Sequence, residues 1–317
     1  MISILQYVFN ERYAMADEEN GRLMENNLKP QFDLEEPDDE LLRWAERNIG
    51  ENPDTKPELI EQLRDMIFQR GECVPHRTDD AFLLKFLRAR HFHVRHAHRL
   101  IVNYYKLKES TPEFFDIDYE KLVELGRTDV FNTPPNTDQD GRRLMVIRIG
   151  NWDTSKYTPV DLFQAVILIL EIALTEPKVQ LLGGVCIFDL SGLSIGQAWY
   201  MSPTVARQMT QVGFSAMPFR AHAIHVVNHS WVFDMAFSIL QPFLAEVMKE
   251  RIYFHDDLDS LHRHIEPKHL PKRYGGVYED HKYITWMDSL KNNDHVIDEL
   301  TSLGYLGCRE VIQKLKV

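Results

Sequence analysis

Gly184-Val185-Cys186-Ile187-Phe188-Asp189-Leu190 is a short, almost wholly apolar run that ends on Ser191-Gly192. A strand covered on one face alternates apolar and polar residues. This one does not, so it reads as a strand covered on both faces inside a parallel sheet. Working outward, Arg143-Leu144-Met145-Val146-Ile147-Arg148-Ile149 reads as a second strand, and Thr158-Pro159 opens a long apolar helix reaching about residue 175. Downstream, Ser202-Pro203 starts another helix and Ala223-Ile224-His225-Val226-Val227-Asn228 is a strand. Residues 231–240 form a helix, Pro242 opens a turn, Arg251-Ile252-Tyr253-Phe254 is a last strand, and 285–303 form a final helix. Strands alternating with helices imply an α/β fold with a mainly parallel sheet.

The first part of the chain has another texture. Helices fit 38–49, closed by Gly50, and 57–70, with Pro57 in the first turn and Gly71 just past the end. Two more fit 79–88, after a Thr78 cap, and 94–108, making a small helical bundle over 38–125. Asp79 and Asp80 at one end of the third helix, with Lys85 and Arg88 at the other, suit the helix dipole. Residues 10–37 are polar and acidic and are expected to be a mobile lead-in. Met15-Ala16-Asp17 reads like an ordinary translation start, so the first 14 residues look like an extension.

The chain has 317 residues, 44% of them apolar, enough for one large domain and a smaller one. A net charge of −12 argues against a general nucleic-acid binder. The charge is uneven. Residues 1–65 hold 17 Asp/Glu against 7 Lys/Arg, whereas 76–108 hold 8 Lys/Arg and five His against only Asp79 and Asp80. A basic segment on an acidic protein looks for an anionic partner. Cys73, Cys186 and Cys308 are scattered and odd in number, which suits a reducing compartment and no disulfide framework. The apolar opening, Ile2 to Phe9, lacks the basic flank and cleavage site of a signal peptide, and the greasiest segment, 165–174, is broken by Glu171 and too short to span a bilayer. A cytoplasmic protein is expected.

Phe82-Leu83-Leu84-Lys85-Phe86-Leu87-Arg88-Ala89-Arg90-His91-Phe92-His93-Val94 resembles the N-terminal signature of the CRAL-TRIO family. Four further segments follow in that family's order: Asp140-Gly141-Arg142-Arg143, Ile187-Phe188-Asp189-Leu190-Ser191-Gly192, the stretch from Phe219 to Asn228, and Leu270-Pro271-Lys272-Arg273-Tyr274-Gly275-Gly276. The likeness covers 40–280 and looks greatest to the branch of tocopherol and retinaldehyde carriers. It implies a helical domain, here 38–125, and an α/β lipid-binding domain, here 126–280, with a mobile helical gate; the polar lead-in over 1–37 and a helical tail over 281–317 flank them.

What the resemblance implies for function is a carrier, not an enzyme. It would bind one tocopherol-, retinoid- or carotenoid-like lipid, with no other cofactor, and deliver it to phosphoinositide-bearing membranes. Pocket residues carried over by position are Ile147, Val166, Leu170, Phe188, Met201, Met209, Val212, Phe219 and Ile224. Val166 and Leu170 stand where the tocopherol carrier has serines, making this pocket drier. The implied gate is Trp231, Val232, Phe233, Met235, Phe237, Ile239 and Leu240; by periodicity alone the same helix reads as core. The implied phosphoinositide ligands are Arg88, Arg90, Arg220, Lys249 and Arg251, against the alternative of a solvated basic helix end. Val247 and His222 depart from the family's basic pattern there. A phosphoinositide-recruited regulatory protein with an incidental cavity is the alternative function.

Two chemistries are weighed besides. Gly192-Leu193-Ser194-Ile195-Gly196 matches the nucleophile elbow of serine esterases, with Asp234 and His255 downstream as triad partners. The break at Ser191-Gly192 argues against a direct strand-to-helix elbow. His255, His262, His264 and His269 gather near Asp256, Asp257 and Asp259 but lack metal-motif spacing, so no metal is expected.

Overall fold

The computed structural model describes residues 30–314. The start-like Met15 and most of the expected lead-in lie outside the described residues. From residue 30 onward the lead-in is not free. Phe32 tilts onto Trp286 with 5.3 Å between ring centroids, and Asp33 pairs with Lys178 at 2.7 Å.

The N-terminal helices begin and end on local signals. Helix α1 (Asp39–Ile49) is capped by Asp38, which accepts from Leu41 N at 2.8 Å, and closed by left-handed Gly50. Helix α2 (Lys56–Arg70) ends on Gly71. Helix α3 (Asp80–Ala89) starts one residue later than expected, because Asp79 rather than Thr78 accepts from Phe82 N, at 3.1 Å. Helices α4 (Val94–Ser110) and α5 (Tyr119–Arg127) complete this block.

Five strands form one sheet in sequence order: β1 (Phe131–Asn132), β2 (Arg143–Arg148), β3 (Gly184–Asp189), β4 (Ala221–Val227) and β5 (Ile252–His255). Strands β2 to β5 are parallel; β1, too short to read from sequence, lies antiparallel on β2. Parallel strands that follow one another in space as in sequence, joined by right-handed crossovers, put all crossover helices on one face. These are α6 (Pro159–Ala173), α7 (Pro177–Leu182), α8 (Ile195–Ala198), α9 (Pro203–Thr210), α10 (Trp231–Leu240) and α11 (Glu246–Lys249). The opposite face presents Leu144, Val146, Val185, Ile187, Ala223 and Val227, sealed by α12 (Leu258–His262) with Ile265, Leu270 and Tyr274. Gly276 closes that cover: a Cβ there would collide with Leu270 O, so the turn needs glycine.

The C-terminal region departs from expectation. The one helix read over 285–303 is two, α13 (Met287–Lys291) and α14 (Asp294–Ser302), and α15 (Cys308–Lys314) follows. The break falls at Asn292-Asn293, where Asn293 Nδ2 donates to Ser289 O at 2.5 Å. Nor are these helices an appended tail. Met287, Leu290, Val296, Ile297, Leu300 and Ile312 share one core with α1–α4 and α6. Glu171, which interrupts the apolar run of α6, is buried at that junction. It accepts from Tyr104 Oη at 2.9 Å and Tyr305 Oη at 3.5 Å, and burial raises its pKa.

Candidate lipid site and cationic surface

Alternation puts Met145 and Ile147 of β2, Cys186 and Phe188 of β3, Ile224 and Val226 of β4, and Ile252 and Phe254 of β5 on the helix-covered face. The three strand residues expected in the pocket, Ile147, Phe188 and Ile224, therefore share one apolar wall. Opposite it stands α6. Val166 packs with Ile147 and Phe188, while Leu170, one turn on, joins Val212, Met209 and Phe219. Seven of the nine expected residues thus belong to the sheet face or to the helical segments over it, and an eighth, Phe219, lies in the link just before β4. The ninth, Met201, packs instead with Leu193, Ala198, Val232 and Ala236, beneath the expected gate.

Several of these side chains are incompletely covered although they lie inside: Val166, Phe188, Met209, Phe219 and Ile224 are half-buried. Cys186 is the sharpest case. Burial pushes its thiol up to about 12, yet the residue keeps accessible surface. It borders an apolar, partly open space. That cavity, about 70 Å³, is lined by Met145, Ile169, Leu170, Cys186, Phe219 and Trp286 among others. Only Leu170 and Phe219 of the expected residues reach it. Phe32 and Trp286, from segments outside the pocket expectation, also form its wall. Gly184 shapes the mouth: a Cβ there would lie 2.7 Å from Phe219 Cζ. A cavity of this size is several times smaller than ligand pockets of about 300–1,000 Å³. A carotenoid- or tocopherol-sized guest requires the cover to move.

The cover is weakly held. Of the ten residues of α10 only Val232 and Ala236 are buried, which overturns the core-helix reading. Burying these two side chains is worth only about 2–4 kcal/mol. Phe233 and Phe237 stack at 5.3 Å and meet Phe254 of β5 at 6.0 and 5.4 Å, while Ile239 and Leu240 are half-buried. Trp231 is 65% exposed and Met235 38%. The neighbouring α8 adds exposed Ile195, and Trp199, at 76%, follows it directly. Large exposed apolar side chains grouped on packed elements mark an interaction surface.

The expected anion ligands divide. Arg88 is internal, 6% exposed. Its Nε and Nη2 each donate to Glu51 at 2.8 Å and its Nη1 donates to Gln180 at 2.7 Å. It cannot face a membrane, and its assignment is corrected to a structural ion pair. Lys249 pairs with Glu246 at 2.7 Å, on the surface.

Arg90, Arg220 and Arg251 converge. Arg90 donates to Phe214 O at 3.0 Å, Arg220 to Leu181 O at 2.6 Å, and Arg251 to Ala221 O at 2.8 Å. All three bond carbonyls, and among the described residues none has a carboxylate partner. Burial, then Arg99 and Arg251, lowers the Arg90 pKa; burial, then Arg251 and Arg142, lowers that of Arg220 to about 10. Burial also lowers His222. Three mutually repelling guanidinium groups without an internal counter-ion suit an external polyanion. Sequence reading missed Arg99, whose only signal was the basic excess over 76–108.

The esterase reading fails on geometry. Ser194 caps α8: it donates to Gln197 Oε1 at 3.0 Å and accepts from Gln197 N at 3.2 Å. His255 instead bonds Ser260 Oγ at 2.8 Å and His225 Nδ1 at 2.9 Å, and Asp234 is exposed on α10. Among the described residues no group of His, Cys, Asp or Glu is arranged to hold a metal ion. Nor is any described helix long and apolar enough to cross a membrane.

Residues 127–276 match the family model described as CRAL/TRIO domain, and 51–103 match that of the CRAL/TRIO N-terminal domain. Clavesin-2 of Rattus norvegicus is 34% identical over 260 residues, covering 81% of this chain and 80% of its own length. Clavesin-1 of Xenopus laevis is 32% identical over 263 residues, covering 81% and 78%. The crystal structure of Sfh5 superposes with a TM-score of 0.43 at 15% identity, over 71% of this chain and 88% of that one. Two ordered domain matches and relatives of this identity along most of the chain place the protein in the CRAL-TRIO family of lipid-binding proteins.

Proposed function

We propose that this protein is a cytoplasmic carrier that encloses one tocopherol-, retinoid- or carotenoid-like lipid and exchanges it at phosphoinositide-bearing membranes. The observation that carries the reading is the apolar sheet face of Ile147, Phe188 and Ile224, the last two incompletely covered, flanked through Phe254 by a helix with only Val232 and Ala236 buried. Exposed Trp231, Met235 and Trp199 would enter the bilayer interface when α10 swings out. The guanidinium cluster supplies the head-group contact. Arg90 is tied to Phe214, in the wide π-turn that continues α9 (Gln211–Ala216), and α9 packs on α10. A head group that binds better with α10 displaced would shift the population toward opening. Val166 and Leu170 offer no hydrogen bond, which favours a guest with few buried polar groups. No covalent step is assigned to the site.

The small cavity favours a second reading, a phosphoinositide-recruited regulatory protein without cargo. Organic extraction of the purified full chain followed by mass spectrometry separates them: the carrier reading expects one stoichiometric apolar lipid, and its absence sinks that reading. Arg220→Glu with Arg251→Glu should then lower binding to phosphoinositide vesicles at least about tenfold while the extracted lipid remains. Unchanged vesicle binding would remove the head-group role.

A further inference from the structure

The exposed turn between α3 and α4 carries His91 and Phe92 in consecutive left-handed conformations, at φ 51° and 57°. Such a pair is uncommon for residues with a Cβ. Here Phe92 is buried in the core while His91 is exposed, so packing of the ring at 92 holds its neighbour at the cationic cluster. Arg220 Nη1 lies 3.3 Å from His91 Nε2. A guanidinium only donates, so this contact requires a lone pair on Nε2 and therefore a neutral imidazole with its proton on Nδ1. A protonated ring would set two donors against each other, and an anion between them would accept from both. The charged or titratable groups acting on the ring are Arg220, Arg251, His93 and Arg90, with no carboxylate among them.

We infer that His91 is a proton-gated anion ligand: the site takes up a clustered polyanion together with one proton, which turns His91 from an acceptor of Arg220 into a second donor to the ligand. The inference rests on the reading of the cluster as a head-group site and adds to it a residue and a pH dependence. Partial burial first, and then the guanidinium groups of Arg220, Arg251 and Arg90 with the neighbouring His93, hold the free imidazole below its ordinary 6.5. A bound polyanion reverses the charge term and raises it. By linkage, affinity rises as pH falls through the interval between the free and bound values, by at most about tenfold per pH unit. Phosphate esters titrate in the same range, so a phosphorylated probe would confound the slope.

The test therefore uses inositol hexakis-sulfate, whose charge is fixed, with the full chain and its His91→Asn variant; asparagine accepts the left-handed backbone and carries no proton. Calorimetry between about pH 7.5 and pH 5.5 should show wild-type affinity rising at least about threefold with net proton uptake, and the variant nearly flat. An equal slope in the variant, or binding without proton uptake, overturns the role of His91 while leaving the head-group site standing. No wild-type binding at any pH overturns both. Repeating the comparison on vesicles with and without a phosphoinositide tells a membrane-borne anion from a free one. The site is a lipid-surface sensor if the His91-dependent slope appears on the phosphoinositide vesicles; its absence there, with the soluble probe responding, removes the membrane from the inference.

Discussion

Arg88 and Arg90 lie two residues apart at the end of α3 and have opposite fates. Positions i and i+2 face different sides of a helix, so one guanidinium turns inward to Glu51 and the other outward to the cluster. Nothing in the string Leu87-Arg88-Ala89-Arg90 tells which, because the deciding partner is a carboxylate 37 residues upstream. The Arg88–Glu51 pair is nearly dry on both sides, and Arg88 holds the Glu51 carboxyl below its usual range against the burial that raises it. Removing Arg88 leaves the buried Glu51 carboxylate with only the half-exposed Lys56, at 3.3 Å. Arg88→Ala should cost about 3–5 kcal/mol in urea denaturation, and Arg90→Ala far less. A mild Arg88→Ala would return that residue to the surface. The pocket residues were more legible. Strand parity alone groups Ile147, Phe188 and Ile224, whereas Met201 lies in an irregular link where no period applies.

Among elements, β4 and β5 meet through a pair of imidazoles. His225 and His255 sit on the sealed face, both buried, and share one hydrogen bond, with the His264 ring tilted against His225 and edge-on to His255. Burial, followed by the charges of His255, His264 and His222, depresses His225 to about 3, and burial likewise lowers His255. The unfolded imidazoles take protons below about 6.5; folded His225 does so only at about 3, and folded His255 below its ordinary value. The pair's contribution is therefore complete above the unfolded value and is lost as pH falls below it. Thermal unfolding should show the melting temperature dropping from neutral pH toward pH 5, and His225→Asn should flatten that drop. A variant as steep as the parent would exonerate the pair. The loosened edge would be β5, whose Phe254 props α10. The helix α10 was readable to the residue, because its limits are set by an apolar run between polar links. Its exposure was not, since that depends on the thinness of what lies beneath it.

For the whole molecule, sequence reading reached the order of the parts but not their union. Helices then α/β follow from periodicity and from the ordered family motifs. That the last helices complete the first ones' core could not be read, because α13, α14 and α15 are short and their apolar faces name no partner. Tyr305 reaching Glu171 is a contact across 134 residues. The same interior has a chemical consequence at Cys186. A thiol held at about 12 is almost never a thiolate at neutral pH, so electrophiles meet it as an inert group. It reacts only through reagent and water that enter the partly open space it borders. The rate at which a small maleimide labels Cys186 is thus a clock for breathing of the shell. It should be slow in the native chain, faster in Ala236→Asp, whose charge undermines α10, and slowed again by a tenant that occupies the space. Labelling of Cys186 as fast as that of an unfolded chain would mean that the interior is already open to water. The protein carries its own timekeeper at the wall it guards.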